Sequence, residues 1–211
     1  MTVTIPSQVK DPELLRTRRA QIVQAAVPLF SEKGFHKTTT RELARASGMS
    51  IGALYEYVQT KEDVLFLVCQ HIHQEVESQL RVSLSEHTSV VVRLRLAIEA
   101  FLRVMDRMQA DVLLIYQESK SLPEPYLKEV LAHETRITQV FEQLLREGVQ
   151  DGSFRLRPGE EILLAHTIVV AGQMWAFRRW ALKAVAFEDF AAAQVDMLMN
   201  AALPVAERDA P

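Results

Sequence analysis

The chain has 211 residues, of which 48% are hydrophobic, and it carries a formal net charge of −3. This length and composition suggest one or two domains with a sizeable core, and the charge excludes a protein that coats nucleic acid along its whole surface. The single cysteine, Cys69, excludes an internal disulfide framework. Residues 1–15 lack the apolar run of a signal peptide, and the apolar run 162–177 is shorter than the ~20 residues of a membrane span. A cytoplasmic protein is therefore expected.

Residues 1–15 are predicted to form a flexible N-terminal arm, because Pro6 and Pro12 interrupt them and they show little periodicity. A first helix then runs to about Glu32, with its apolar residues on one face. Gly34 follows, and a glycine at this position is typical of a helix end. The chain therefore begins with an irregular segment and one amphipathic helix.

Residues 38–61 have the pattern of two short helices joined by a tight turn. Thr39 and Glu42 have the spacing of a capping box, and Gly48 supplies the backbone conformation of a helix end. Ser50 is a candidate N-cap for the second helix. Two short helices and such a turn form a helix-turn-helix, whose second helix enters the DNA major groove.

The residues of this segment resemble the N-terminal domain of the TetR family of transcriptional regulators over about residues 18–65. The resemblance rests on Gly34-Phe35, Thr38-Thr39, Leu43-Ala44, Gly48, Ser50, Gly52, Leu54-Tyr55 and Lys61-Glu62. Val58 departs from the family pattern, which usually has an aromatic residue there, and we expect it to loosen the packing of the second helix slightly. Beyond residue 65 the resemblance is one of architecture.

The resemblance implies an all-α protein with two domains. Residues 16–60 would form a three-helix helix-turn-helix DNA-binding domain, and residues 61–211 a helical bundle that binds an effector and dimerises. The charge distribution agrees with this division, because residues 1–63 carry nine Lys/Arg and seven Asp/Glu while the remainder carries 15 and 20. A basic module on an acidic body fits a DNA-binding head.

The second helix of the motif is expected to lie close to base edges. Gly52 and Ala53 are small enough for a close approach, and Ala53 suits the methyl group of thymine. The helix has no Arg, Asn or Gln for a bidentate base contact, so much of the affinity is expected from phosphate contacts. The family resemblance implies such contacts for Tyr55 and Lys61, although Tyr55 also suits a core position and Arg41 a solvated face. The predicted DNA-binding residues are Thr39, Thr40, Arg41, Ser50, Ile51, Gly52, Ala53, Tyr55, Tyr57 and Lys61.

The remainder of the chain is predicted to be helical. A long fourth helix runs from Lys61 to about Leu84, and an apolar residue recurs at every fourth position along it. This inward-facing stripe consists of Val64, Val68, Ile72, Val76 and Leu80. Further helices are predicted over about 89–108 and 111–119, then from the turn at Pro123 and Pro125 to Gly148, and finally over about 158–183 and 188–203.

The family resemblance implies an effector pocket in the body, and large, adaptable apolar side chains are present to line one. The same residues at helical spacing also suit a plain core, and the polar residues among them need partners in either case. Arg178 suits an anionic head group or the negative end of its helix. The predicted ligand-binding residues are Phe101, Met105, Met108, Leu113, Tyr116, His166, Gln173, Met174, Trp175, Phe177 and Arg178.

The last two helices are apolar on more than one face, which predicts either a larger core or an interface with a second copy. A helix-turn-helix protein of this kind needs two copies to contact two half-sites about one helical turn apart. Paired with their symmetry mates, the two helices would form a four-helix interface. The predicted interface residues are Ile168, Val169, Phe190, Val195, Leu198 and Met199.

These observations lead to one hypothesis, a homodimeric repressor that leaves its operator DNA when a hydrophobic small molecule binds. Segments 116–123 and 174–180 are similar to those of lipid-responsive family members, which suggests a long-chain acyl-CoA, although aromatic drugs suit the same residues. No enzyme, metal site or cofactor is predicted, because no paired nucleophile, phosphate loop or ligand cluster is visible. The alternative is a helical-bundle carrier or enzyme without DNA binding. The operator sequence and the choice between repression and activation cannot be deduced.

Overall fold

The computed structural model describes residues 3–83 and 89–203, with the side chains of residues 82 and 83 left out. The described residues form helices and no strand, which confirms the predicted all-α class. The helices are α1 (Pro12–Lys33), α2 (Thr40–Ala46), α3 (Ile51–Tyr57), α4 (Lys61–Ser83), α5 (Val90–Arg107), α6 (Gln109–Glu118), α7 (Glu124–Gln150), α8 (Glu160–Phe177) and α9 (Phe187–Ala202), with a 3-10 turn at Ser119–Ser121. None of the helices within these ranges is long and apolar enough to cross a membrane.

The chain divides into two compact units. The N-terminal unit contains residues 1–74 and 110–133, and the C-terminal unit contains residues 75–109 and 134–211. This division differs from the predicted boundary after residue 60, because α6 and the first part of α7 share the core of the N-terminal unit. The residues of segment 110–133 that are buried in that core are Leu114 of α6, Leu122 before α7 and Val130 of α7. Sequence order alone did not indicate that this later segment packs with the helix-turn-helix.

A glycine-ended turn and a shared apolar core hold α1, α2 and α3 together in the N-terminal unit. Gly34 ends α1 with a positive φ of 82°, and its amide donates to the Phe30 carbonyl. Phe30 and Phe35 then meet edge to face, with their ring centres 5.3 Å apart. Both rings are buried, so they form part of the floor on which the helix-turn-helix rests. The apolar side chains Leu43 and Leu54 close the same core from α2 and α3.

The N-terminal segment does not extend away from this unit, so the predicted flexible arm needs correction. Residues 12–15 already belong to α1, which begins at Pro12 behind an Asp11 N-cap. Ile5 is buried in the core of the N-terminal unit. The Ser7 hydroxyl and the Gln8 amide both donate to the Glu56 carbonyl near the end of α3, at 2.7 and 3.0 Å. Residues 3–11 therefore pack against the helix-turn-helix.

The predicted stripe along α4 is confirmed, since Val64, Val68, Ile72, Val76 and Leu80 are all buried. Apolar residues four apart lie on one side of an α-helix, so burial of that side fixes which way the helix faces. Burial outweighs the modest helix propensity of the β-branched residues in this stripe.

In the C-terminal unit, α8 and α9 pack against α5. Gly172 of α8 allows the closest approach, because a Cβ atom there would overlap with the Phe101 ring of α5. Phe101 in turn meets Phe141 of α7 edge to face, with 5.6 Å between ring centres. In the core of this unit, the Phe101 ring therefore packs directly against the backbone of α8 at Gly172.

Helix α8 ends at Phe177, six residues before the predicted end at Lys183. The chain then makes successive turns, in which the Ala181 and Leu182 amides donate to the Arg178 carbonyl. The Arg179 guanidinium lies over the Trp175 ring, 4.6 Å from its centre, and donates to the Leu182 carbonyl. Arg179, a residue with favourable helix propensity that lies in the turns following α8, thus contacts partners three and four residues away.

Candidate nucleic-acid interface and body sites

Helices α2 and α3 form the helix-turn-helix that the sequence predicts. The Thr39 hydroxyl accepts from the Glu42 amide, and the Glu42 carboxylate accepts from the Thr39 amide at 2.9 Å, which completes the capping box. Gly48 has a φ of 66° in the turn between the helices, a backbone conformation that side chains disfavour. The Ser50 hydroxyl accepts from the Ala53 amide at 3.1 Å and caps α3. Each of these four local predictions is confirmed.

Glu42 also forms an ion pair with Lys33 at the end of α1. The hydrogen bond from Lys33, together with those from the Thr39 amide and hydroxyl, lowers the pKa of Glu42 to about 2. The carboxylate therefore remains charged at any pH near neutrality, and it joins the last turn of α1 to the first turn of α2. This connection fixes the start of the helix-turn-helix.

The first turn of α3 is open to solvent. Ile51 and Gly52 are exposed at its beginning, and Ser50 is exposed before it. Tyr55 is 41% exposed, and its hydroxyl lies 3.5 Å from the Thr40 hydroxyl at the start of α2. These residues provide an exposed surface of small and hydroxyl-bearing side chains, which permits a close approach to a groove and contacts to phosphate. Thr39 and Arg41 of the predicted set are also exposed, and Thr40 and Ala53 are half-buried.

Two residues of the predicted DNA-binding set have other positions. Tyr57 is only 7% exposed, and its ring belongs to the core of the N-terminal unit. The Lys61 ammonium donates to the carbonyls of Phe35, His36 and Thr38 at 2.8, 3.1 and 3.0 Å. An ammonium group has three donors, so these bonds use its full capacity. Lys61 therefore secures the loop between α1 and α2. Lys61 and Tyr57 are accordingly not among the residues that we propose to contact DNA.

The residues predicted to bind a ligand are divided between the two units. Phe101, Met105, Met108 and Trp175 are buried in the C-terminal unit, whereas Leu113 and Tyr116 belong to the N-terminal unit. The Trp175 ring is held on one side by a 2.7 Å hydrogen bond from its Nε1 to the Asp106 carboxylate. Trp175 is therefore a core residue with a satisfied polar atom.

Four other residues of that set lie along an open groove on α8, next to Gln194 of α9. The groove has a volume of about 630 Å³, and it is lined by Leu163, His166, Thr167, Val170, Ala171, Met174, Phe177, Arg178 and Gln194. Gln173 is half-buried and does not line it. The Arg178 guanidinium lies over the Trp180 ring at 4.8 Å from its centre. The groove thus has an apolar floor and one cation at its end.

Comparison with known proteins connects both units to a single family. Residues 22–68 match the family model described as bacterial regulatory proteins, tetR family, and residues 87–175 match a tetracyclin repressor-like C-terminal domain. The chain is also 34% identical over 178 residues to the HTH-type transcriptional regulator HbdR of Aromatoleum sp. (strain CIB), which covers 84% of this chain and 77% of that protein. The chain belongs to the TetR family. Members of the TetR family are DNA-binding regulators and not enzymes.

Two further members of the TetR family are similar over most of their length. The HTH-type transcriptional repressor KstR2 of Mycolicibacterium smegmatis is 26% identical over 170 residues, which is 80% of this chain and 82% of that repressor. The crystal structure of AibR in complex with isovaleryl coenzyme A and operator DNA superposes with a TM-score of 0.74 at 22% identity. That superposition covers 86% of this chain and 98% of AibR, and it shows a shared fold.

The residues predicted for the dimer interface of this TetR-family protein lie in the core of the single chain. Ile168, Val169 and the four residues of α9 are all buried within the single chain, with at most 6% of any of them exposed. A side chain inside its own core has no surface to offer to a second copy. The four α9 residues concerned are Phe190, Val195, Leu198 and Met199. The exposed apolar residues on the outer side of α8 are instead Leu163 and Val170, at 68% and 59%, and Met197 is exposed on α9.

Proposed function

We propose that this TetR-family protein is a homodimeric repressor that binds operator DNA and is released by a hydrophobic small molecule. The exposed first turn of α3, bordered by the Tyr55 and Thr40 hydroxyls, is the observation that carries this proposal. Small side chains at the start of a helix allow its backbone to approach base edges. The similarity to the repressor KstR2 supports repression over activation.

Operator contacts are proposed for eight exposed or half-buried residues. Ser50, Ile51, Gly52 and Ala53 would face the major groove, and Thr39, Thr40, Arg41 and Tyr55 would contact phosphates on either side. Helix α3 has no Arg, Asn or Gln. Phosphate contacts and groove shape would therefore supply most of the affinity, and binding would weaken steeply with salt.

The second copy would cover the outer face of α8 and α9. Leu163 and Val170 are seven residues apart on α8, so they lie on one side of the helix, and Met197 adds an exposed apolar side chain from α9. An exposed patch of this kind is typical of an interface. A second copy accounts for it, because two half-sites require two helix-turn-helix motifs in one molecule.

A single charge at Val170 tests this assignment. Val170→Glu would bury a carboxylate in the interface and should convert the dimer to a monomer, as measured by sedimentation at micromolar concentration. Leu131→Glu is the matched control, because Leu131 is a similarly exposed apolar residue on α7. A Val170→Glu protein that remains dimeric, with Leu131→Glu also dimeric, would contradict the proposed face.

The effector is proposed to be a long-chain acyl-CoA. Support comes from AibR, whose fold is shared and which binds isovaleryl coenzyme A, and from the apolar interior of the C-terminal unit. Met105 and Met108 are flexible side chains that are buried in this unit, as Phe101 is, so its interior can widen with little strain. An acyl chain between them would favour one conformation of the protein, and only such differential binding can shift the DNA affinity.

Fluorescence anisotropy with the DNA upstream of the gene tests the proposal as a whole. The dissociation constant would be measured over a series of salt concentrations, with palmitoyl-CoA and, as controls, coenzyme A and hexadecanoate. Nanomolar binding that weakens with salt and is abolished by palmitoyl-CoA alone is the expected result. Binding unaffected by any of the three compounds would retain the regulator and contradict the effector. Failure to bind even a random operator library would contradict DNA binding itself.

A further inference from the structure

The turn between α3 and α4 is held by side chains from two different helices. Arg19 of α1 donates twice to the Tyr57 carbonyl, at 3.1 and 3.0 Å, and once to the Ile5 carbonyl at 2.9 Å. One carboxylate oxygen of Asp63 accepts from the amides of Gln59 and Thr60 at 2.8 and 2.9 Å. The last residue of α3, which is the recognition helix of the proposed function, and the turn that follows it are therefore fixed by two charged side chains.

A third side chain reaches this turn from α7. The Tyr126 hydroxyl donates to the other oxygen of the Asp63 carboxylate at 2.5 Å. The Tyr126 ring stacks on Phe66 of α4, with 4.3 Å between ring centres and 5° between planes. Asp63 is 4% exposed, so water contributes little to its environment. Burial and the hydrogen bond to Asp63 raise the pKa of Tyr126, which keeps the phenol a neutral donor.

Arg19 is part of the same cluster. Burial lowers the pKa of Arg19, while the nearby Asp63 carboxylate and Tyr126 act in the opposite direction. Arg19 of α1 and Asp63 of α4 therefore bond to the backbone at the end of α3 and in the turn after it, and Tyr126 of α7 bonds to Asp63. One carboxylate oxygen of Asp63 accepts hydrogen bonds from the turn, and the other accepts the hydrogen bond from Tyr126 of α7.

We propose that Tyr126 is a positioning residue for the recognition helix, acting through Asp63 on the α3–α4 turn. A shift of α7 that stretches the bond from the Tyr126 hydroxyl would move or release the Asp63 carboxylate. Release would free the amides of Gln59 and Thr60 and loosen the end of α3. This inference rests on the proposed function, since only a DNA-binding protein would need the orientation of α3 to be controlled.

The hydroxyl is the group that distinguishes positioning from packing. A phenylalanine at residue 126 would stack on Phe66 equally well, so a ring that only fills the core has no need of an oxygen atom. Tyr126→Phe therefore removes the bond to Asp63 and leaves the ring in place. Ser31→Ala is the control, because it also removes a hydroxyl group and Ser31 is an exposed residue on α1 of the same unit.

Hydrogen exchange of the full chain, measured by mass spectrometry, tests the role of Tyr126 without DNA. In Tyr126→Phe, peptides covering residues 57–63 should exchange about tenfold faster than in the wild type, with α2 and α8 unchanged. Ser31→Ala should match the wild type throughout. Unchanged exchange at residues 57–63 would overturn the proposal. Faster exchange across the whole N-terminal unit would also overturn it, because it would show that the hydroxyl is a general stabiliser.

DNA binding of the same variants provides the second measurement. On an operator selected by the wild type from a random library, Tyr126→Phe should bind about three- to tenfold more weakly than the wild type, and Ser31→Ala should bind equally well. Local loosening at residues 57–63 with unchanged affinity would overturn the link to the recognition helix. If the wild type selects no operator, the proposed function fails, and the exchange data still decide whether Tyr126 holds the turn.

Discussion

Lys61 is predicted from the sequence to contact DNA, but its bonds in the structure indicate a structural role. A single substitution can distinguish these two roles. Its ammonium donates to three carbonyls of the loop between α1 and α2 and lies 4.6 Å from the centre of the Phe35 ring. Lys61→Met keeps most of the apolar stem and deletes all three bonds together with the contact to the ring. The variant should therefore lose stability whether or not DNA is present.

The magnitude follows from the environment of the ammonium group. A hydrogen bond to a charged donor contributes about 1.5–3 kcal/mol, but Lys61 is only half-buried and the His36 carbonyl lies at the surface. Water can replace part of the lost bonding, so we expect a total loss of about 2–3 kcal/mol rather than the sum of three full bonds. For a chain of this size the Tm should fall by roughly 4–12 °C.

Thermal unfolding and the salt dependence of DNA binding together provide the assay. Lys37→Met is the control, since Lys37 is an exposed lysine in the same loop, and it should leave the Tm unchanged within about a degree. In Lys61→Met, the slope of log affinity against log salt should equal that of the wild type. A slope reduced by about 0.9 for each contact, or about 1.8 for the dimer, with an unchanged Tm would refute the structural role.

Three further predictions concern Gly52, Gly172 and Glu42. Gly52→Ala places a methyl group in open space, 3.9 Å from the nearest atom, so the Tm should hold or rise while operator affinity in an anisotropy titration falls about tenfold or more. Gly172→Ala should instead lower stability in urea by about 1–2 kcal/mol with DNA affinity retained, because its Cβ would overlap with the Phe101 ring, and Phe101→Leu should recover part of that loss. The lowered pKa of Glu42 stabilises the fold fully above its ordinary value of 4.5, and this contribution is lost as the pH falls towards 2. The Tm of the wild type should therefore drop more between pH 5 and 2.5 than that of Glu42→Gln, and parallel curves would contradict the role of the carboxylate.

The features that could be predicted from sequence are those decided within a few residues. The capping box of Thr39 and Glu42 involves residues three apart, and the Ser50 cap contacts the amide of Ala53. The buried stripe of α4 follows from one repeated spacing. In each case the partners are adjacent on a helix, so sequence spacing and spatial distance carry the same information.

The features that could not be predicted depend on contacts between distant residues. The bonds of Lys61 connect it to carbonyls 23 to 26 positions away, and Tyr126 reaches Asp63 across 63 positions. A lysine at the start of a helix suits an anion equally well by local criteria. Only the packing of α4 against the loop after α1 shows that its three donors are already used. The same reasoning applies to Ile5, whose burial depends on the end of α3.

Helix α8 shows why the sequence alone does not separate its core residues from its exposed apolar residues. It is apolar on two sides, with Ile168, Gly172 and Trp175 buried on one and Leu163 and Val170 exposed on the other. Periodicity identifies the apolar positions but cannot rank two apolar faces when both are present. Gly172 lies on the face that is buried. Because it has no side chain, the backbone of α8 can approach Phe101 of α5 on this face. The opposite face therefore stays exposed with Leu163 and Val170 on it, as the proposed interface with a second copy requires.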